Sequence, residues 1–190
     1  MRITGGIISG RVLKVPKEGV RPTQDRVREA LFGSLGPRLP GARVLDLYAG
    51  TGALGLEAWS RGAAEVVWVE RDRNTFEVLE RNVADLCRDE DGGGTQCLRM
   101  DVQRFLKRPP EGLGAFDLIV ADPPYKDDPG LEQLGNALSA VRAHSMLTLS
   151  GLFAYELAGA GEGSFPGWRM VRSRRYGRTR VLIFTQEAST

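Results

Sequence analysis

The sequence has very few of the residues that build metal centres and disulfides. Its 190 residues include two cysteines, Cys87 and Cys97, and one histidine, His144. The cysteines form no Cys-x-x-Cys pair, so neither a metal cluster nor a disulfide framework is predicted, which is typical of proteins from a reducing compartment. No pattern of serine, cysteine and acid around His144 marks it as catalytic. We therefore expect a site without a metal.

Long hydrophobic runs are missing as well. No apolar stretch approaches the roughly 18 residues that span a membrane, and no apolar signal-peptide segment follows residues 1–6. Apolar residues nevertheless make up 42% of the chain, which is enough for the core of one domain. The sequence therefore predicts a cytoplasmic protein with no membrane partner. We also expect a monomer.

The charge is nearly balanced overall but unevenly distributed. Residues 1–40 contain eight Lys or Arg and three Asp or Glu, a net charge of +5. Residues 171–190 contain five basic residues and one acid, a net +4, whereas residues 41–170 contain 13 basic residues and 20 acids, a net −7. Basic ends on an acidic middle predict a polyanionic partner, such as nucleic acid, that is bound by the termini.

The most informative stretch is a glycine-rich turn between a strand and a helix. An apolar run over residues 44–47 is followed by Gly50-x-Gly52-x-x-Gly55 and then by a helix-like sequence. This is the pattern of a nucleotide-binding βα unit, in which glycines permit a sharp turn and a close approach to a ligand. The next apolar run ends in Glu70, about 20 residues on, where an acid accepts hydrogen bonds from ribose hydroxyls.

Two further acids refine the choice of ligand. Asp46 lies within the first strand, four residues before Gly50. A carboxylate there suits a ligand that carries an ammonium group better than a pyrophosphate, which favours S-adenosylmethionine over NAD. Asp101 follows the third predicted strand, where it can reach the adenine amino group of the cofactor or cap the next helix, and the two roles are compatible.

A second motif, Asp122-Pro123-Pro124-Tyr125, directly follows the fourth predicted strand. The prolines stiffen the turn and supply no donors. The Asp122 carboxylate and the Pro123 carbonyl can each accept a hydrogen bond, which suits the two hydrogens of a planar exocyclic amine. Tyr125 can stack on a base. The motif therefore predicts a base amine as the acceptor: adenine N6, cytosine N4 or guanine N2.

The chemistry predicted for this turn needs no metal. Hydrogen bonds from both N–H groups to these two acceptors would push the amine nitrogen toward tetrahedral geometry and aim its lone pair at an activated methyl group. Catalysis would then come mainly from proximity and orientation. The amine proton could leave to Asp122 or to water, and the sequence leaves both routes open.

The whole chain alternates strand and helix, which predicts an α/β fold with an open, mostly parallel sheet and helices on both faces. A small hairpin is expected over residues 2–15, and a helix capped by Thr23, with Asp25 in its first turn, should run to Leu35. We expect residues 1–40 to form a basic extension that faces RNA, and residues 41–190 to form the catalytic domain. The predicted strands are residues 44–47, 66–70, 95–100, 116–121, 152–157, 168–171 and 180–184.

With these motifs in place, the sequence resembles the RsmD family of bacterial 16S rRNA guanine-N2 methyltransferases. The resemblance covers most of the chain. Its most specific part is the run Arg21-Pro22-Thr23-x-Asp25-Arg26-Val27-Arg28-Glu29-Ala30. The other matching stretches are residues 2–6, 10–11, 45–58, 60–63, 122–125 and 176–179. Tyr48 and Thr51 stand where Phe and Ser are expected, and Gly33 where Asn is expected.

The resemblance implies a class I, Rossmann-like, S-adenosylmethionine-dependent methyltransferase with seven strands. It implies S-adenosyl-L-methionine as methyl donor and a guanine N2 amine in 16S rRNA of the small ribosomal subunit, or of an assembly intermediate, as acceptor. Two alternatives remain. A DNA adenine-N6 methyltransferase would need a separate DNA-recognition region, for which 190 residues leave little room. A protein glutamine methyltransferase typically has Asn in place of Asp122, and the basic termini would then lack a role.

The pattern and the resemblance together give the predicted site. The expected catalytic residues are Asp122, Pro123 and Tyr125. The expected cofactor-binding residues are Asp46, Tyr48, Gly50, Thr51, Gly52, Glu70, Asp101 and Asp122. The expected RNA-binding residues are Arg2, Arg11, Lys14, Arg21, Thr23, Arg26, Arg28, Arg175 and Arg178.

Overall fold

Seven strands form one sheet at the centre of the fold. They are β1 (Arg43–Leu47), β2 (Glu65–Glu70), β3 (Gly94–Arg99), β4 (Phe116–Ala121), β5 (Leu147–Ala158), β6 (Trp168–Tyr176) and β7 (Thr179–Gln186). Their order in the sheet is β3-β2-β1-β4-β5-β7-β6. Every pair of neighbouring strands within the set β1 to β5 is parallel, whereas β7 is antiparallel to both β5 and β6. The computed structural model describes residues 1–15, 25–87, 94–124, 130–158, 163–177 and 179–187.

Helices cover both faces of the sheet. They are α1 (Asp25–Leu35), α2 (Ala53–Ser60), α3 (Arg73–Leu86), α4 (Val102–Lys107) and α5 (Leu131–Ala143). Successive residues of a strand point to opposite faces. Thus Val44 of β1 packs into the cluster formed with α1, α2 and α3, and Leu45 into the cluster formed with α4 and α5. We call these two sides the α1 face and the α5 face. This architecture confirms the predicted fold class.

Local sequence explains where helix α3 begins and which side it buries. The Asp72 side chain accepts a hydrogen bond from the Thr75 amide at 2.8 Å, which satisfies a donor that the first turn would otherwise leave open. Phe76, Leu79 and Val83, at helical spacing, are buried against the sheet.

Among the described residues, no helix has both the length and the apolar content needed to cross a membrane.

The N-terminal segment is packed onto the α1 face. The predicted hairpin is present as a single antiparallel bridge between Arg2 and Val12. Ile3 and Leu13 are only 1% and 2% exposed and belong to the same core cluster as Phe32 of α1. The described residues of the first 40 therefore share a core with the rest of the chain, because the segment is too short to bury these side chains by itself.

The structure overturns the prediction that Arg28 contacts RNA. Its side chain is 0% exposed, because it lies on the side of α1 that faces α2. One of its terminal nitrogens donates to the Asp25 carboxylate at 2.9 Å and to the Arg2 carbonyl, and its Nε lies 3.8 Å from the buried carboxylate of Glu57. Arg28 is therefore a structural residue that joins α1 to α2 and to the N-terminal segment.

Candidate active site

The carboxyl ends of the parallel strands bring the predicted residues to one edge of the sheet. Leu47 of β1 pairs with Val69 of β2 and with Ala121 of β4. Tyr48, Glu70 and Asp122 follow these three residues in the chain and are therefore level at this edge. Ligands of open α/β sheets bind at this edge. The sequence prediction of where the site lies is therefore consistent with the register.

The glycine turn has the backbone conformation that its sequence predicts. Gly50 and Gly52 have φ values of 57° and 88°, in the left-handed region that glycine adopts most readily. Gly55 is needed for a different reason, since a Cβ atom there would lie 2.1 Å from Nε1 of the buried Trp68. The turn is thus fixed by backbone conformation at its tip and by close helix–strand packing behind it.

Asp46 lies beneath this turn rather than at its surface. Its side chain is completely buried, and Oδ2 accepts a hydrogen bond from the Gly55 amide at 2.8 Å. Oδ1 is buried without a hydrogen-bond partner among the described residues. Burial raises the pKa of Asp46 to about 8; the Gly55 bond opposes this rise, and the charges of Asp122 and Glu70 add to it. Direct contact with a ligand ammonium is therefore not available in this conformation, and Asp46 holds the start of α2.

The raised pKa of Asp46 predicts a pH-dependent stability. The folded state retains the proton between pH 4 and 8 while the unfolded state has lost it, so the free energy of unfolding falls as the pH rises through this window. The fall is at most about 1.4 kcal/mol per pH unit. Asp46→Asn keeps an acceptor for Gly55 and removes the titration. In urea unfolding at pH 5, 6.5 and 8, the free energy of unfolding of the variant should increase relative to that of the wild type as the pH rises. A difference that stays constant with pH would contradict the prediction.

Glu70 holds two backbone turns together with one carboxylate. Oε2 accepts from the Gly50 amide at 2.9 Å, and Oε1 accepts from the amides of Arg71 and Asp72 at 2.8 and 2.7 Å. The side chain therefore links the glycine turn after β1 to the turn after β2. It is half-buried at the predicted edge, and its contact with a ribose stays a prediction.

Asp101 caps helix α4. Its Oδ1 accepts from the Arg104 amide at 3.2 Å, and its Oδ2 lies 3.5 Å from a guanidinium nitrogen of Arg71. The capping role is one of the two that the sequence allows, and it leaves room for a second because carboxylate oxygens each carry two lone pairs. Its contact with the cofactor stays a prediction.

Tyr48 joins three elements at the same edge. It has a φ of 61°, unusual for a residue with a side chain. Its hydroxyl oxygen accepts hydrogen bonds from the side-chain amides of Gln103 on α4, at 3.0 Å, and Gln133 on α5, at 2.6 Å. Burial raises the pKa of Tyr48, and these hydrogen bonds oppose the rise. No sequence pattern indicates the role of the two glutamines, because single polar residues on helices usually face solvent.

The proline turn completes this edge. Asp122 is half-buried, Pro123 is buried and Pro124 is exposed. Tyr125 lies outside the described residues. The charges of Glu70 and Asp122 both act on Asp46, so these two carboxylates lie close together at this edge, and their negative charge suits a cationic ligand. In the described part of the chain, no group of three or more His, Cys, Asp or Glu residues could hold a metal ion.

The predicted RNA-binding residues are not all equally available. Arg2, Arg11 and Arg26 are exposed. The ammonium of Lys14 lies 2.6 Å from the Asp85 carboxylate, which neutralises its charge locally. Arg175 is exposed and donates from Nε to the Gly177 carbonyl at 3.0 Å. Three of the predicted residues lie outside the described ranges: Arg21, Thr23 and Arg178.

The strand order and the glycine turn define the class of protein. Seven strands in this order, with β7 antiparallel between β5 and β6, form the class I fold of S-adenosylmethionine-dependent methyltransferases. A solved structure of the Escherichia coli protein yhhF, named provisionally as a methyltransferase, is similar to this chain with a TM-score of 0.84 and 33% identity. The comparison covers 100% of this chain and 99% of that one.

The particular family follows from sequence comparison: the chain belongs to the RsmD family. The family profile described as "Conserved hypothetical protein 95" matches residues 1–185. YlbH of Bacillus subtilis (strain 168), named provisionally as an rRNA methyltransferase, is 34% identical over 187 residues, which are 97% of this chain and 98% of that protein. Ribosomal RNA small subunit methyltransferase D of Escherichia coli (strain K12) is 41% identical over 127 residues, 66% of this chain and 61% of that protein.

Proposed function

We propose that this chain transfers a methyl group from S-adenosylmethionine to the N2 amine of a guanine in 16S rRNA of the small ribosomal subunit. The observation that carries the proposal is the Asp122-Pro123 turn, which lies level with the glycine turn at the acidic edge of the sheet. Membership of the RsmD family supports rRNA as the substrate.

The acidic edge fits the proposed cofactor. S-adenosylmethionine carries a sulfonium and an ammonium, and the edge offers the half-buried carboxylates of Glu70 and Asp122, with Asp46 beneath them. Gly50 and Gly52 carry no side chains, and the side chain of Thr51 between them is buried. Glu70, Asp101 and the glycine turn would hold the cofactor, which supplies an activated methyl group when bound.

The proline turn would hold the acceptor. Asp122 and the Pro123 carbonyl are acceptors on neighbouring residues of a turn whose backbone is restricted by Pro123 and Pro124. They would accept hydrogen bonds from the two N–H groups of the guanine amine and so orient its lone pair. Because an activated methyl group needs no further polarisation, orientation is the main contribution of the protein.

Methyl transfer onto defined RNA tests the proposal. The purified chain would be incubated with tritiated S-adenosylmethionine and either 16S rRNA or small subunits from cells that lack the enzyme, and the RNA would then be digested to nucleosides. We expect the label in N2-methylguanosine. Label in N6-methyladenosine, or transfer to protein only, would overturn the assignment of the acceptor.

Glu70 provides a prediction for the cofactor. Glu70→Ala removes the acceptor proposed for the ribose and also frees the Gly50 amide of the glycine turn. We expect S-adenosylmethionine affinity to fall by at least about 1.5 kcal/mol, the value of a charge-assisted hydrogen bond. Calorimetry would measure the affinity, with Glu77→Ala as control; Glu77 is a half-buried acid of α3 that pairs with Arg73. Unchanged affinity, or tight NAD binding by the wild type, would contradict the cofactor assignment.

A further inference from the structure

An open groove lies on the α1 face, at the end of the sheet opposite to the candidate active site. Its volume is about 670 Å³. Leu149 and Ser150 line it from the amino end of β5, and Arg38 lines it from the turn that follows α1. Arg169 and Arg172 line it from the edge strand β6. Helix α1 packs over β4, β5 and β7 on this face, and among the described residues no helix covers β6 there.

A bulge in β6 determines which arginines face the groove. Arg169 pairs with Thr185 and Arg172 with Ile183. The two arginines are three positions apart on β6, whereas their partners are two positions apart on β7. Val171 is the extra residue, and without it the alternation of a strand would place Arg169 and Arg172 on opposite faces. After the bulge, Arg174 pairs with Val181 and therefore shares their face. The bulge thus aligns three guanidinium groups on the α1 face.

These arginines have their charge available. Arg169, Arg172 and Arg174 are exposed, and within the described ranges no protein group forms a hydrogen bond or an ion pair with their guanidinium groups. Arg38 is exposed and donates to the Ser150 carbonyl at 2.9 Å, which fixes it at the rim. Glu187 is the one carboxylate among the described residues that line the groove. The groove therefore carries a net positive charge beside the exposed side chain of Leu149.

We propose that this groove binds the phosphodiester backbone of rRNA that flanks the target nucleotide. The inference rests on the proposed function. Guanidinium groups bind phosphates through paired hydrogen bonds, and charge complementarity favours a polyanion over an apolar partner. The row from Arg169 to Arg174 is about 15 Å long at the rise of a β-strand. The row leads from the groove toward the carboxyl ends of the parallel strands, where Asp122 lies.

Paired substitutions on opposite edges of the sheet test this surface. Arg169→Ala with Arg172→Ala removes two charges from the groove. Arg81→Ala with Arg99→Ala removes two exposed charges from α3 and from β3, the outermost strand on the other side of the sheet. Filter binding of 16S rRNA at several salt concentrations would be compared with the wild type. Each lost contact to single-stranded RNA lowers the slope of log affinity against log salt by about 0.7. We expect the groove variant to weaken binding and lose about 1.4 from the slope.

The control and a charge-conserving variant make the result specific. The Arg81/Arg99 variant should bind RNA like the wild type, and Arg169→Lys with Arg172→Lys should restore most of the slope because the phosphate contacts remain. An unchanged slope in the groove variant, or an equal loss in both alanine variants, would overturn the inference. The assay measures RNA binding without methyl transfer, so failure of the proposed chemistry would show separately, as wild-type binding without methylation.

Discussion

Replacing Asp122 by alanine is expected to lower the single-turnover rate of methyl transfer by at least about 100-fold, which corresponds to roughly 2.7 kcal/mol in the activation barrier. The carboxylate is proposed to hold the acceptor amine in the orientation that the reaction needs, and this interaction matters most in the transition state. S-adenosylmethionine affinity should change little, because the residue acts on the acceptor.

The measurement separates chemistry from binding. Single-turnover assays with saturating RNA would give the rate, and calorimetry would give the cofactor affinity. Asp122→Asn, which keeps one carbonyl oxygen at the same position, should retain more activity than the alanine variant. A near-normal rate in the alanine variant would mean that Asp122 is structural and that another group orients the amine.

Replacing Arg28 by methionine is expected to destabilise the fold by about 3–5 kcal/mol, the cost of removing one member of a buried ion pair. Arg28 is fully buried beside Glu57, and its loss leaves that carboxylate with fewer partners. Arg61 lies 3.3 Å from Glu57 and remains, which sets the lower end of the range. RNA affinity of the folded variant should keep the wild-type salt dependence, because Arg28 does not reach the surface.

Urea unfolding would measure this change, with two comparisons. Arg26→Ala, on the exposed side of the same helix, should change stability by no more than about 0.5 kcal/mol. Arg28→Met combined with Glu57→Gln should recover part of the loss, because it removes the charge that the single variant leaves buried. Equal stability of the Arg28 and Arg26 variants would contradict the structural role of Arg28.

The parts of the fold that the sequence predicted well are those with local signals. The glycine turn follows from the spacing of Gly50, Gly52 and Gly55, and its positive φ values match that expectation. Short apolar runs predict the central parallel strands β1, β2 and β4, because both faces of these strands are buried. The capping role of Asp101 was available from its position between a strand and a helix.

The parts that the sequence did not predict depend on partners distant in the chain. Arg28 lies off the apolar stripe of α1 and is buried only because Glu57 of α2 lies opposite. The Tyr48 hydroxyl meets amides from two other helices, and no periodicity in any one segment indicates this. The bulge at Val171 depends on the register of β6 against β7, and the alternation of residues within β6 alone does not reveal it.

The docking of the N-terminal segment also has a consequence for the order of folding. The Thr4 amide donates to Glu57, and the Lys14 amide donates to Asn82, across separations of 53 and 68 residues. On the ribosome these first residues are made long before their partners on α2 and α3. At about 5–20 residues per second, the second contact must wait roughly 3–14 seconds. The N-terminal segment therefore cannot complete its contacts with α2 and α3 until synthesis has passed Asn82.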